Sequence, residues 1–437
     1  MRKNLRPIAS LLVGVALLLA GNGLQFTLLP LRGSVEGFGA VALGLIGSAY
    51  FVGFVSGCLL GPYIVLRAGH IRAFAAMVAV AACVALAYAL APLPLAWGAF
   101  RAVTGFCFAV LYLVIESWLN DHATNATRGL VMSAYIVVSF AALALGQMLV
   151  TLYPVQHASS FMVAAMLLSL ASVPVALTRS AQPAPITMVS FRPLQLFLAA
   201  PVALVAAFMI GVANGAFWSL APVFVTGTGL DVERAAQFMT VAVLAGAIVQ
   251  WPVGRLSDRV DRRRVLLVLL VGATTTSLAL WLMSAPGSLL LGLGALFGAL
   301  ALPGYSLAAA HGYDKTPASE VVATAATILL ASGLGSIVGP PIAALLMAEQ
   351  GPRTLFLFTA VVQALLAAYV LYRIRVQITL EPPQKTGFDL GATAPIGAVV
   401  THAIPNPQDP LVAVPDEYPR KGHPGGQDAG SPRVGGN

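Results

Sequence analysis

Apolar residues fill the first 375 positions in long blocks, broken roughly every 25–35 residues by short polar or glycine- and proline-bearing stretches. A block of about 20 apolar residues makes a helix of about 30 Å, the thickness of a bilayer's hydrocarbon core. Lipid offers the backbone no hydrogen-bond partner, so blocks of this length read as membrane-spanning helices. A barrel would need alternation of apolar and polar residues, and these blocks do not alternate. The pattern predicts twelve spans, at 8–31, 43–66, 72–91, 95–119, 129–152, 159–178, 200–225, 235–256, 265–285, 287–311, 320–347 and 353–375. Connections as short as 91–94 and 285–287 force antiparallel neighbours. Arg2, Lys3 and Arg6 precede the first block, as in a secretory signal. That block is too long, no A-x-A-like site closes it, and further spans follow, so it is expected to stay in the membrane.

Composition sharpens the picture: 58% of the residues are hydrophobic and 9% charged. Of the 24 lysines and arginines, sixteen fall on the side of the N-terminus up to Arg375, and three on the other, Arg32, Arg234 and Arg353. Arg101 lies within a span, and four more follow residue 376. The positive-inside rule then puts both termini in the cytoplasm. The net charge of +8 restates this asymmetry and requires no nucleic-acid partner. Cys58, Cys83 and Cys107 all fall within spans. No C-x-x-C or His/Cys cluster accompanies them, so no disulfide, metal or cofactor is expected.

Residues 179–199, with Pro183, Pro185 and Pro193, separate two groups of six spans. The expected division is a six-helix half at 1–178, a linker at 179–199, a second half at 200–375, and a Pro- and Gly-rich tail at 376–437. The tail lacks periodicity and reads as disordered and cytoplasmic. Six plus six suggests an internal duplication, and corresponding turns support it. Residues 250–264 read QWPVGRLSDRVDRRR, with five arginines and two aspartates between Arg255 and Arg264. The counterpart in the first half is GPYIVLRAGHIR, residues 61–72.

These turns resemble the G-x-x-x-D-R-x-G-R-R motif of the major facilitator superfamily of transporters. The second copy matches through Gly254, Asp258, Arg259, Arg262 and Arg263, with Asp261 in place of the inner glycine. The first keeps Arg67 and Gly69, but Leu66 holds the aspartate position and His70 an arginine position. RAVTG, from Arg101 to Gly105, Arg128-Gly129, and GSIVGPP, from Gly335 to Pro341, resemble further motifs of the superfamily. The wording GNGLQFTLLPLR, VIESWLN and QWPVGRLSDR is similar to the YcaD-like branch of bacterial porters.

The resemblance covers about residues 8–375. It implies an all-α membrane protein: the major facilitator fold, twelve transmembrane helices in two pseudo-symmetric six-helix halves. It also implies that Asp258 latches onto the start of the fifth span near Arg128, with Asp121 in the charged cluster, and that this latch holds the cytoplasmic side shut. The simpler reading is positive-inside topology. That accounts for the arginines but not for Asp258 at its fixed distance from Gly254. Gly53, Gly57 and Gly61, and likewise Gly335 and Gly339 beside Pro340, are spaced for close helix approach. They serve either static packing or a smooth seam between the halves, and the resemblance favours the seam.

Ionisable groups inside a membrane are costly and are functional candidates. Arg101 is the only basic residue deep in a span and Glu116 the only acid, both in the fourth span. Arg101, Gly105, Phe108, Tyr112 and Glu116 share one helical stripe. Arg101 and Glu116 lie about 22 Å apart along the axis and cannot pair directly. The resemblance places the first, fourth, seventh and tenth spans around a central cavity. Candidate solute contacts are then Asn22, Gln25, Arg101, Tyr112, Asn214, Trp218 and Tyr305. Each amide could equally make an interhelical hydrogen bond, and each aromatic could simply pack. Arg101 would hold an anionic or carbonyl group of the solute, or anchor a structural network. Glu116 would carry a proton, or pair with Arg67, Arg72 or Arg128. His311, ending the tenth span, could meet Glu116 when the cytoplasmic side closes.

The expected function is secondary transport of a small organic solute across the bacterial inner membrane by alternating access, proton-coupled, with efflux favoured. The alternatives are a proton-independent facilitator of sugars or metabolites and a transport-dead membrane sensor. An enzyme would need a nucleophile with its base, a metal cluster or paired carboxylates within the bilayer, and the sequence offers none. The expected partners are the solute, a proton and membrane lipid, without nucleic acid, and the expected state is a monomer.

Overall fold

The computed structural model describes residues 2–123, 127–177, 191–282, 287–376 and Phe388, without the side chains of 2–7, 128 and 318. The first six spans are α1 (Arg2–Val35), α2 (Ala40–Ala68), α3 (His70–Leu90), α4 (Pro94–His122), α5 (Arg128–Met148, extended by a 3-10 turn, Leu149–Leu152) and α6 (Ser159–Ala176). A short helix α7 (Pro193–Ala199) follows. The second six are α8 (Pro201–Gly227), α9 (Val232–Arg259), α10 (Arg262–Leu282), α11 (Gly287–Ala301) with α12 (Gly304–Asp314), α13 (Val321–Gln350) and α14 (Thr354–Val376). Among the described residues, twelve spans are long and apolar enough to cross a membrane, one for each predicted block.

The differences are local. The tenth span breaks into α11 and α12 around Leu302-Pro303, because proline lacks an N–H and crowds the preceding turn. Several helices outrun their apolar blocks: α1 continues to Val35, where Arg32 pairs with Glu36 and donates to the carbonyl of Val155 at 2.9 Å. The expected linker contains α7, with Pro193 at its first position, where a missing N–H costs nothing. Residues 179–190 of that linker and the expected disordered tail, apart from Val376 and Phe388, lie outside the described residues.

The two groups of six repeat one packing scheme. In the first, α1 packs on α5 and α2 on α4; in the second, α8 packs on α13 and α9 on α11. Glycines make each contact close. Gly146 faces the carbonyl of Ala20 and Gly105 that of Tyr50; Gly339 faces that of Val212 and Gly298 that of Ala242. A Cβ at any of these positions would collide with backbone, so the helices could not approach this closely. The most buried spans are α1, α4 and α8, at 72, 67 and 67%, against 33% for α6, so these three sit centrally.

Between the groups, α2 meets α13 and α5 meets α9. Gly44 faces Ala344 and the carbonyl of Pro340, Gly47 faces Ser219, and Gly333 faces Val55. Ser48 Oγ donates to the carbonyl of Ile337 at 2.5 Å, and Thr240 Oγ1 to that of Ala144 at 3.2 Å. All these contacts lie between the middle of the bundle and the end remote from the arginine-rich turns, called here the far end and the basic end. One apolar core runs through both halves there, from Leu28 and Leu43 to Ala344 and Phe356. The seam glycines are therefore Gly44, Gly47 and Gly333. Gly53 and Gly57 press α2 against α4 inside the first half, and Gly335 and Gly339 press α13 against α8 inside the second. Both sets have helical spacing; they differ in the face of the helix they occupy.

Candidate solute site

Arg101 sits in the middle of α4 and is 4% exposed. Its guanidinium carbon lies 4.6 Å from the ring centroids of both Phe26 (α1) and Tyr50 (α2). The Tyr88 hydroxyl approaches it from α3 and is itself 3.3 Å from Thr104 Oγ1. Among the described residues Arg101 has no ion-pair partner, and its Nη1 makes no hydrogen bond. Each ring contact contributes roughly 0.5–2 kcal/mol, against a burial cost of several kcal/mol per ion. The cage therefore leaves part of that cost uncompensated.

Beside the guanidinium is a cavity of about 20 Å³, lined by Phe26, Leu29, Pro30, Leu43, Ile46 and Gly47 from the first half and by Trp218 and Ser219 from the second. It is the size of one water. Phe26 and Trp218 face each other across the two halves with centroids 5.7 Å apart. Asn22 hydrogen-bonds the hydroxyls of Tyr50 and Tyr112, and its Oδ1 is left over. Gln25, fully buried three residues on, has neither amide atom satisfied.

The predicted contacts thus divide. Asn22, Arg101, Tyr112 and Trp218 fall in one aromatic and amide cluster reached from both halves. Asn214 instead lines a crevice inside the second half, with Gln363, Leu266 and Gly304. Tyr305 is buried on α12 with its hydroxyl unpartnered. Sequence reasoning missed Phe26, Tyr50 and Tyr88, since nothing local marks rings on three different helices as one cage.

Glu116 is fully buried, fifteen residues along α4 from Arg101, and faces the hydroxyl of Tyr135 on α5. Tyr112, Tyr305 and Cys58 lie within its electrostatic reach. His311 faces another set of charges: Arg263, Asp314, Asp261 and Lys315.

The arginine-rich turn is a buried network within the second half. Arg262, 1% exposed, donates from Nε to Asp314 Oδ2 at 2.7 Å and from Nη1 to Ser257 at 3.0 Å. It also pairs with Asp258 at 3.3 Å. Arg263 pairs with Asp261 at 2.9 Å and reaches the carbonyl of Arg373. Asp261 accepts the Arg263 backbone N–H at 2.9 Å, so the aspartate that replaces the motif glycine caps α10. The first half repeats the geometry in neutral form: His70 meets Ser117 near the end of α4 at 3.0 Å, as Arg262 meets Asp314 at the end of α12. Arg259 is exposed. Asp121 lies 3.9 Å from His122. The side chain of Arg128 is outside the described residues. Asp258 accepts the backbone N–H of Phe388 at 3.0 Å, and the Phe388 ring covers Gly254. Asp314 and Phe388 carry no motif, and sequence reasoning passed over both.

Comparison with known proteins agrees with this architecture. The sequence profile of the Major Facilitator Superfamily matches residues 11–321. The uncharacterized MFS-type transporter YcaD of Escherichia fergusonii is 29% identical over 374 residues, covering 85% of this chain and 96% of its own, and so is YcaD of Escherichia coli O6:K15:H31. Among solved structures, the nucleoside transporter NupG in its D323A form superposes with a TM-score of 0.75 at 14% identity, over 84% of this chain and 99% of its own. A bacterial homologue of the human lysosomal transporter Spinster, inward-facing and unoccupied, gives 0.68 at 15%, over 84% and 97%. With twelve spans, a doubled packing scheme and a profile match over most of its length, this chain belongs to the Major Facilitator Superfamily and is a multi-pass membrane solute transporter rather than an enzyme.

Proposed function

We propose that the protein carries a small organic solute across the inner membrane by alternating access, with the solute held near Arg101 and a proton carried by Glu116. The observation that supports this most is the seam. Gly44, Gly47, Ser48 and Thr240 join the halves at the far end, and the cavity beside Arg101 lies just inside that closure with walls from both halves. At the basic end Asp258 is engaged by Arg262 and Phe388 of its own half and tail. With both termini cytoplasmic, the far-end closure supports reading this arrangement as shut toward the outside. Glu116 supports proton coupling: it is a fully buried acid on a membrane-spanning helix, and a carboxylate at this depth is costly unless it serves a function.

The test is proton flux in inverted membrane vesicles. An acidified interior is challenged with a broad compound panel, in wild type and in Glu116→Gln. A compound that collapses the gradient in wild type and not in the variant establishes antiport through Glu116. Equal collapse in both removes Glu116 from the proton path. No collapse by any compound sinks proton antiport for that panel and leaves facilitated transport as the reading.

A further inference from the structure

Arg101 brings one positive charge into the centre of the bundle, and among the described residues no acidic side chain pairs with it. Phe26 and Tyr50 hold the guanidinium by its faces, and Tyr88 takes part of its edge. Nη1 is left without a hydrogen bond, 96% of the residue's surface is buried, and Arg101 lines a water-sized cavity. A buried charge in a membrane protein is expected to meet a counter-charge in at least one state of its working cycle.

We propose that Arg101 recognises a planar organic monocarboxylate, with the carboxylate on Nη1 and the apolar body against Phe26 and Trp218. The proposal rests on the transport reading above and names the class of solute. The charge count selects the class. One carboxylate neutralises one guanidinium. A phosphate dianion would leave a surplus negative charge in the bilayer, and a sugar or an amide would leave the cation as it stands. Guanidinium nitrogens bond carboxylate oxygens in a common plane. The cavity beside Arg101 is otherwise lined by apolar side chains, Ser219 and the Trp218 indole, so the site offers a carboxylate head one strong contact and the rest of the molecule rings to lie on. Phe26 and Arg101 belong to the first half, Trp218 and Ser219 to the second, so a bound carboxylate touches both halves at the closed end of the seam.

The test uses the full-length protein in lipid nanodiscs and three matched probe pairs: benzoate and benzamide, phenylacetate and phenylacetamide, indole-3-acetate and indole-3-acetamide. Equilibrium binding is measured up to millimolar concentration. At least one carboxylate is expected to bind tenfold or more tighter than its amide, about what a charge-assisted hydrogen bond supplies. Arg101→Gln is expected to abolish the preference. Should that variant not fold, Ser219→Leu fills the cavity with Arg101 intact and is expected to remove binding. Equal binding of acids and amides, no binding of any acid, or undiminished acid binding in the substituted proteins would each overturn the proposal. The same probes are then followed across proteoliposomes. Carboxylate binding without flux would sink the transport reading and keep the anion site. Equal flux of acids and amides would keep transport and sink the anion site.

Discussion

The backbone N–H of Phe388 donates to Asp258 Oδ1 at 3.0 Å, and the Phe388 ring lies over Gly254. A residue from beyond the twelfth span thus occupies the aspartate and the glycine that define the turn between α9 and α10. While it does so, that face of Asp258 is not available to a helix of the other half. Phe388→Ala is expected to release Asp258 and shift the population a few-fold away from the state open at the basic end, since about 1.4 kcal/mol is a factor of ten. Half-buried Cys58 is the reporter, with Cys83 and Cys107 replaced by serine. Its labelling by an impermeant thiol reagent from the basic end should slow. Unchanged labelling would show that the tail contact does not bias the two states.

Gly44 and Gly105 make opposite predictions from the same kind of contact. A Cβ at Gly105 would meet the Tyr50 carbonyl and the Phe54 nitrogen inside one half. Gly105→Ala is expected to cost about 1–3 kcal/mol of stability, read as a lower unfolding temperature, without changing which end is open. A Cβ at Gly44 would meet Ala344 and the Pro340 carbonyl across the seam. Gly44→Val is expected to loosen the far end at smaller cost to stability. Ser219→Cys in a background free of other cysteines should then label faster from the far side. If Gly105→Ala changes sidedness and Gly44→Val does not, the assignment of the seam is wrong.

Arg262 and Asp314 form a buried pair, at 1 and 3% side-chain exposure. Removing Asp314 takes away the shortest and most buried ion pair of Arg262 and leaves the longer one to Asp258. Asp314→Asn is expected to cost about 3 kcal/mol in unfolding. Replacing both, with Arg262→Met and Asp314→Leu, should recover much of that loss, because the desolvation cost of both ions disappears. A cost below about 0.5 kcal/mol for Asp314→Asn, the range of ordinary surface changes, would show that Arg262 is held without Asp314.

How much the sequence told depends on the range of the interaction. The spans were legible because block length against membrane thickness is a local property. The break at Pro303 was visible in principle, but one proline does not interrupt the hydrophobicity of 287–311. The depth of Arg101 and Glu116 followed from position alone. The face each residue presents did not. Gly44 and Gly53 are both small residues of α2, and only the neighbours distinguish a seam from an internal contact. Asn214 and Trp218 lie one turn apart, yet Asn214 lines a crevice within its own half and Trp218 reaches the Arg101 cavity. The cage of Phe26, Tyr50 and Tyr88 depends on packing between distant segments. Asp314 was hidden because its partner stands 52 residues earlier.

Alternating access in this protein requires the two halves to rock about the Arg101 site. Spin-label pairs test it without knowledge of the solute. One pair replaces Leu130 on α5 and Leu256 on α9, exposed positions toward the basic end, and the other replaces Tyr153 and Glu233 at the far end. Distances are measured by double electron–electron resonance in lipid, across pH and with the carboxylate probes. Two populations that trade places are expected, the basic-end distance shortening as the far-end distance lengthens. A single fixed distance for both pairs under every condition would contradict it.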